Sequence, residues 1–128
     1  MTSRAAVVLV GLALVVPAWS GCARQDDRAT ATINGDEQEV RVDMVGTAYR
    51  PLTIGAEADL RLVIHLRNRD VRHHTFTDAG AGIDVDLGPG EEREILVDAL
   101  PEGSNRYFLC RFHEGDGMKG KISYVKSL

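Results

Sequence analysis

The sequence predicts an all-β fold, a sandwich or a barrel, and three observations support this prediction. From Val40 onward, apolar residues recur at short intervals, with turn residues roughly every eight to twelve positions. The segment 60–67, LRLVIHLR, alternates between two sets of side chains, which is typical of a strand with one buried face. No segment combines a sustained helical period with helix caps. The length of 128 residues fits a single domain.

Eight segments have the apolar pattern of strands. In chain order they are Glu39–Val45, Leu52–Ala56, Leu60–Arg67, His74–Thr77, Ile83–Leu87, Arg93–Val97, Arg106–Cys110 and Lys121–Val125. Strong turn signals occur at 88–90 (GPG) and 101–103 (PEG), because proline fixes φ and glycine permits a positive φ. The segment 91–100 could alternatively form a short helix, but the turns that flank it favour a strand.

The first 21 residues are predicted to be an export signal. Arg4 precedes an unbroken apolar run over 5–16. A membrane span needs about 20 such residues, so this run has the length of a signal-peptide core. The sequence Ser20-Gly21-Cys22 resembles the end of a bacterial lipoprotein signal, in which small residues precede a cysteine that becomes acylated. It departs from that motif at Trp19, where leucine is usual.

Two other fates of Cys22 are open. Cleavage after Ala18-Trp19-Ser20 would be ordinary signal processing, and Cys22 could also pair with Cys110. We favour lipidation, because a free cysteine after an export signal is a liability in an oxidising compartment. We therefore expect an exported protein, lipid-anchored at the outer face of the cytoplasmic membrane or periplasmic. Residues 22–36 would form a polar tether and 37–128 the folded domain.

Composition excludes several classes of protein. The chain has 15 Lys and Arg residues, 19 Asp and Glu residues and a formal net charge of −4. This mild acidity argues against a nucleic-acid binder, which needs a basic surface. Two cysteines are too few for a disulfide scaffold or a four-cysteine zinc site. A hydrophobic content of 44% is too high for a disordered chain.

Candidate metal ligands lie near the C-terminus. Cys110, His113 and Met118 have the spacing Cys-x2-His-x4-Met, which places the cysteine at a strand end and the other two in the next loop. Two sulfur donors and an imidazole favour copper. A second imidazole would complete a trigonal site with a weak axial methionine, and His73 or His74 could supply it. Zinc is the alternative, but zinc sites with methionine are rare.

These residues resemble the cupredoxins, the type 1 blue-copper family that includes plastocyanin and pseudoazurin. The resemblance covers residues 49–125 and is most specific at the Cys-x2-His-x4-Met motif and the KGKI sequence after it. Further support comes from Asn68 six residues before His74, from the GPGE turn at 88–91 and from Phe108. The resemblance implies a Greek-key β-sandwich of about eight strands, with one copper ion at one end.

The resemblance also implies which residues surround that ion, and these are the ligands His74, Cys110, His113 and axial Met118. His74 is preferred to His73 because the family's ligand precedes a polar residue, here Thr75, and a short core strand. By resemblance, the Thr75 N–H donates to the Cys110 sulfur, and the Asn68 side chain braces the His74 loop. His65 falls on the outer face of its strand and is expected to be a surface residue.

The function implied is one-electron transport outside the cytoplasm between redox protein partners, by a monomer that binds no nucleic acid. The alternative is copper storage or delivery without redox cycling. The axial methionine favours electron transport, because a delivery site usually exposes thioethers on a methionine-rich surface, and this chain has three methionines. An enzyme is not expected, since a lone type 1 site has no open coordination position and no second metal.

Overall fold

A computed structural model describes residues 27–127. These residues form eleven strands and one short 3-10 turn, Ala79–Ala81, in two sheets. The strands are β1 (Arg28–Thr30), β2 (Thr32–Asn34), β3 (Glu37–Val45), β4 (Ala48–Arg50), β5 (Thr53–Glu57), β6 (Arg61–Asn68), β7 (His74–Asp78), β8 (Ile83–Leu87), β9 (Glu92–Val97), β10 (Asn105–Leu109) and β11 (Lys119–Val125).

The two sheets form a sandwich. Sheet A has the order β1-β5-β11-β10-β7-β8, and sheet B has the order β2-β3-β6-β9 with β4 paired to β3. Both sheets contribute buried residues to one core cluster, and alternate residues of β3, β5 and β11 are buried. In β6, Leu62, Ile64 and Leu66 are buried as the sequence pattern predicts, and Val63 on the opposite face is buried as well. The predicted all-β sandwich is therefore confirmed.

The strand count is eleven rather than about eight. All eight predicted strands are present, and the three additional strands are β1, β2 and β4, each three residues long. Strands β1 and β2 are largely exposed and have no apolar period to reveal them. They are held by backbone pairing, β1 in parallel with β5 and β2 antiparallel to β3.

The predicted polar tether over 22–36 needs correction for its described part. Strands β1 and β2 lie within it and join different sheets. Ala31, between them, is buried, and its N–H donates to the Gly55 carbonyl at 2.8 Å. The sandwich therefore begins before residue 37. The predicted signal peptide and Cys22 lie outside the described residues.

An aromatic cluster fills the core beneath one end of the sandwich. The Phe76 and Phe108 rings stack with centroids 4.4 Å apart, and Tyr49 packs edge-on against Phe108 at 4.8 Å. Gly120, opposite Phe108 in the register, leaves room for this ring. A Cβ at Gly120 would lie 2.1 Å from Phe108 Cζ and 2.8 Å from the Leu52 carbonyl oxygen, so any side chain there would displace the ring or the backbone.

Within residues 27–127, no helix has the length and apolar character needed to cross a membrane.

Candidate metal centre

Strand ends of sheet A bring the candidate ligands together. His74 is the first residue of β7, and Cys110 directly follows the last residue of β10. Because β7 and β10 are antiparallel neighbours, the start of one and the end of the other lie at the same edge of the sheet. The loop from Cys110 to Met118 then returns the chain to β11.

Three donor atoms converge at this edge. One ligand atom each from His74, Cys110 and His113 lies within 4.8 Å of the other two. The distance from His74 Nδ1 to Cys110 Sγ is 3.8 Å. His74 and Cys110 are fully buried, whereas the His113 side chain is 13% exposed. A thiol and two imidazoles gathered in this way are a donor set for a soft or borderline metal ion.

Backbone hydrogen bonds close the loop that carries the other candidates. The His113 N–H donates to the Cys110 carbonyl at 3.2 Å, and the Met118 N–H donates to the His113 carbonyl at 3.1 Å. The Cys110 N–H in turn donates to the Met118 carbonyl at 3.1 Å. These bonds hold Met118, which is fully buried, beside Cys110 at the base of the loop.

The other two histidines lie outside the cluster. His73 is exposed, and its Nδ1 lies 3.0 Å from Asp86 Oδ1. His65 lies on the outer face of sheet B, where its Nε2 and Nδ1 face Glu39 and Glu94 at 3.0 and 3.5 Å. Of the neighbouring pair His73 and His74, only His74 therefore joins the thiol, and His65 occupies the surface position that the sequence predicts.

Thr75 organises the environment of the thiol. Its N–H donates to Cys110 Sγ at 3.3 Å, and its Oγ1 accepts a bond from the Arg111 N–H at 2.9 Å. The sequence resemblance implies the first of these bonds. This N–H supplies a hydrogen bond that the sulfur of a metal-bound cysteine would accept.

Tyr49 supports Thr75 from the core. The Tyr49 hydroxyl donates to the Thr75 carbonyl at 2.6 Å. Burial, and secondarily the charge of Cys110, raise the pKa of Tyr49 well above its ordinary value. The phenol therefore stays protonated and remains a donor, which ties the aromatic cluster to the edge that carries the thiol.

Asn68 braces the loop before His74. It is fully buried, and its Nδ2 lies 2.6 Å from the Arg72 carbonyl and 3.0 Å from the carbonyls of Leu87 and Gly88. Its Oδ1 accepts a bond from the Asp70 N–H at 2.9 Å. These contacts fit the bracing role that the sequence resemblance implies for Asn68.

Asp70 is a contact that sequence reasoning missed. Its Oδ2 lies 3.0 Å from His74 Nε2. The hydrogen bond from His74, followed by that from the Val71 N–H, lowers the pKa of the Asp70 carboxyl to about 2. The spacing Asp-x3-His is the only sequence signal, and it is weak, because in a loop this spacing does not fix how two side chains meet.

Comparison with known proteins identifies the sandwich. The family model described as cupredoxin-like domain matches residues 10–123. No curated protein matches the sequence significantly. The metal-binding domain of the Cu(I)-exporting P-type ATPase CopA of Streptococcus pneumoniae, solved with Cu(I), has a TM-score of 0.67 at 18% identity and covers 79% of this chain and 98% of that chain.

Two further solved structures share this fold. Reduced auracyanin from Roseiflexus castenholzii has a TM-score of 0.57 at 16% identity, covering 68% of this chain and 96% of its own. The copper-containing nitrite reductase of Thermus scotoductus has a TM-score of 0.56 at 17% identity, covering 84% of this chain and 30% of its own. At these identities the likeness shows the fold alone, and the fold occurs in copper-binding domains, blue-copper proteins and an enzyme.

Proposed function

The chain belongs to the cupredoxin-like domain family, and from that premise we propose that it is an extracytoplasmic one-electron carrier. It would bind one copper ion through His74, Cys110 and His113, with Met118 as a weak axial ligand. The observation that carries this proposal is the buried Cys110 thiol, which faces two imidazoles within 4.8 Å. When bound, copper supplies a Cu(I)/Cu(II) couple.

The donor set fits copper better than the common alternatives. The cluster found among residues 27–127 contains a thiol and two imidazoles and no carboxylate, which disfavours magnesium and calcium. Zinc would accept these three donors, but its structural sites are completed by cysteine or histidine. The same loop holds Met118 beside Cys110. Its side chain is a thioether, and soft sulfur donors select copper.

The rigidity of the site supports electron transport. His74 lies in β7, and Cys110 is bonded through its backbone to Met118 and through its sulfur to Thr75. Ligands fixed by strands and hydrogen bonds keep one geometry in both oxidation states, which lowers the cost of electron exchange.

His113 provides the route to a partner, because it is the only member of the cluster that is partly exposed, at 13%. Phe112 beside it in the chain is exposed, as is Val71 beside Asp70. Exposed apolar side chains near a redox centre suit the docking of a redox protein partner. We accordingly propose contact through the His113 edge.

Copper storage or delivery is the second candidate. The likeness to the CopA metal-binding domain, at a TM-score of 0.67, favours it. Against it, Met44 and Met118, the methionines of the described region, are both fully buried. The chain thus exposes no thioether in that region for handing Cu(I) to an acceptor.

We further propose that the protein has no enzymatic activity, because the proposed ligand set leaves no open coordination position. We also propose that it is a monomer. Export and a lipid anchor at Cys22 remain proposals from the sequence. Mass spectrometry of the N-terminal peptide from the native membrane fraction tests the anchor, since an acylated Cys22 is expected and an unmodified, processed terminus would exclude it.

Loading the purified protein with Cu(II) tests the copper assignment. We expect an intense sulfur-to-copper charge-transfer band and a narrow copper hyperfine splitting in electron paramagnetic resonance. A colourless sample with a tetragonal spectrum would contradict the assignment. Voltammetry and a Cu(I) chelator then separate the two functions, because a carrier cycles reversibly and releases copper slowly. Rapid release together with irreversible voltammetry would favour delivery.

A further inference from the structure

The two ring nitrogens of His74 face different groups. Nδ1 lies 3.8 Å from Cys110 Sγ, and Nε2 lies 3.0 Å from Asp70 Oδ2. The His74 side chain is fully buried, so the protein itself must satisfy both nitrogens. An ionised carboxylate accepts hydrogen bonds and cannot donate them. Nε2 therefore donates to Asp70, and Nδ1 is the ring nitrogen on the side of the thiol.

Neighbouring donors hold the Asp70 carboxylate in place. Oδ2 also accepts a bond from the Gly46 N–H at 3.1 Å and lies 3.4 Å from Arg72 Nη2. Oδ1 accepts a bond from the Val71 N–H at 2.7 Å. With Asn68 bonded to its backbone N–H, Asp70 is fixed at both its main chain and its side chain, although the side chain is 15% exposed.

We propose that Asp70 is a positioning residue that sets the tautomer of His74 and favours Cu(II) over Cu(I) at the proposed centre. The inference rests on the proposed copper function. A carboxylate that accepts the outer N–H of a ligating histidine raises the basicity of the inner nitrogen. Greater electron donation stabilises the ion of higher charge more than the ion of lower charge, so Asp70 lowers the reduction potential.

His113 has a carboxylate partner of a different kind. Its Nδ1 lies 3.2 Å from Asp116 Oδ2, and the Asp116 side chain is 61% exposed. Solvent and salt screen an exposed charge far more than one enclosed by protein donors. The carboxylate that tunes the centre is therefore Asp70 rather than Asp116.

The substitution Asp70→Asn tests the tuning role. The amide oxygen can still accept the His74 N–H, so the charge is removed while that contact is kept, and the amide NH2 replaces the oxygen that accepts the Val71 N–H. Asp86→Asn is the matched control, because Asp86 bonds His73, outside the cluster, at the same 3.0 Å distance. We expect Asp70→Asn to retain copper and raise the potential. A tenfold larger loss of affinity for Cu(II) than for Cu(I) corresponds to about 59 mV for a one-electron couple.

Equal shifts in the two variants would overturn the inference while leaving the copper site intact, since the effect would then be a general one of charge. An absent shift in Asp70→Asn would overturn it as well. If the wild-type protein takes up no Cu(II), the proposed function fails instead.

A second measurement needs neither copper nor a variant. Nitrogen-15 NMR of the imidazole in the wild-type apo-protein reports which ring nitrogen of His74 carries the proton. We expect the Nε2–H tautomer. This measurement tests the positioning role even if the Asp70→Asn variant fails to fold. An Nδ1–H tautomer would show that Asp70 does not hold His74 as proposed.

Discussion

Two histidines of this molecule face carboxylates at the same distance but in opposite surroundings. His74 Nε2 lies 3.0 Å from Asp70 Oδ2, and His65 Nε2 lies 3.0 Å from Glu39 Oε2. The His74 side chain is fully buried, whereas that of His65 is 36% exposed. Beyond the carboxylate, His74 faces a thiol and His65 faces a second glutamate, Glu94. Burial and the group at the second nitrogen, rather than the carboxylate contact, therefore distinguish a candidate metal ligand.

Exposed pairs of basic and acidic side chains surround His65. Across the outer face of sheet B, basic and acidic side chains pair on β3, β6 and β9, and the pairs are Arg61–Glu37, His65–Glu39 and Arg67–Glu92. Exposed pairs of this kind contribute roughly 0–1 kcal/mol each. These pairs lie on the solvent-facing side of sheet B, whereas the buried edge of sheet A brings metal-ligating donor atoms together.

The largest expected effect is the loss of the copper charge-transfer band when the thiol is removed, compared with no change when the surface histidine is removed. Cys110→Ser removes the thiolate, so the charge-transfer band of the Cu(II)-loaded protein should disappear. His65→Ala is the control and should leave absorption and paramagnetic resonance spectra unchanged. Persistent colour in Cys110→Ser, or its loss in His65→Ala, would reverse the comparison.

The next effect concerns the support beneath the metal centre. Phe108→Ala removes a fully buried ring that stacks on Phe76, and such a truncation costs about 3–5 kcal/mol of unfolding free energy. Leu96→Ala, at an exposed site on β9 of sheet B, should change it by less than about 0.5 kcal/mol. Urea unfolding of the apo-protein measures both values. Similar values for the two variants would mean that the aromatic cluster is not the core of this end.

Strands with an apolar period could be predicted from the sequence, and those without one could not. The alternation of Leu62, Ile64 and Leu66 identifies β6, since hydrophobic burial enforces a period of two. Strands β1 and β2 are stabilised by backbone pairing with β5 and β3. Their short, mostly polar sequences have no apolar period that would reveal those partners, so a segment predicted as a tether belongs in part to the sandwich.

The residues of the candidate metal centre could likewise be predicted from the sequence only in part. The spacing of Cys110, His113 and Met118 is local and could be found in the sequence, and the resemblance to cupredoxins supplied His74. The contact between Asp70 and His74 depends on where the Gly46 turn and the Asn68 side chain fold the intervening loop. Such a contact depends on the tertiary structure, and it leaves no periodic pattern in the sequence by which it could be predicted.

A smaller effect is expected from the axial position. Met118→Leu keeps the buried volume nearly constant, so it should cost less than about 1.5 kcal/mol of stability. It should retain copper and change the reduction potential, because a weak axial ligand holds the ion little but alters its electron density. Met44→Leu, at the other buried methionine, is the matched control and should leave the potential unchanged. Loss of copper from Met118→Leu would make Met118 a primary ligand.

The smallest effect is expected at the exposed histidine. A double-mutant cycle with His65→Ala and Glu39→Gln should give a coupling free energy below about 1 kcal/mol, and added salt should reduce it further. Glu39→Gln should also leave the reduction potential of the copper-loaded protein unchanged, unlike Asp70→Asn, although each variant removes a carboxylate charge 3.0 Å from a histidine nitrogen. Unfolding and voltammetry of the same variants give both quantities. A potential shift in Glu39→Gln as large as that in Asp70→Asn would mean that charge alone, and not its contact with a buried ligand, tunes the centre.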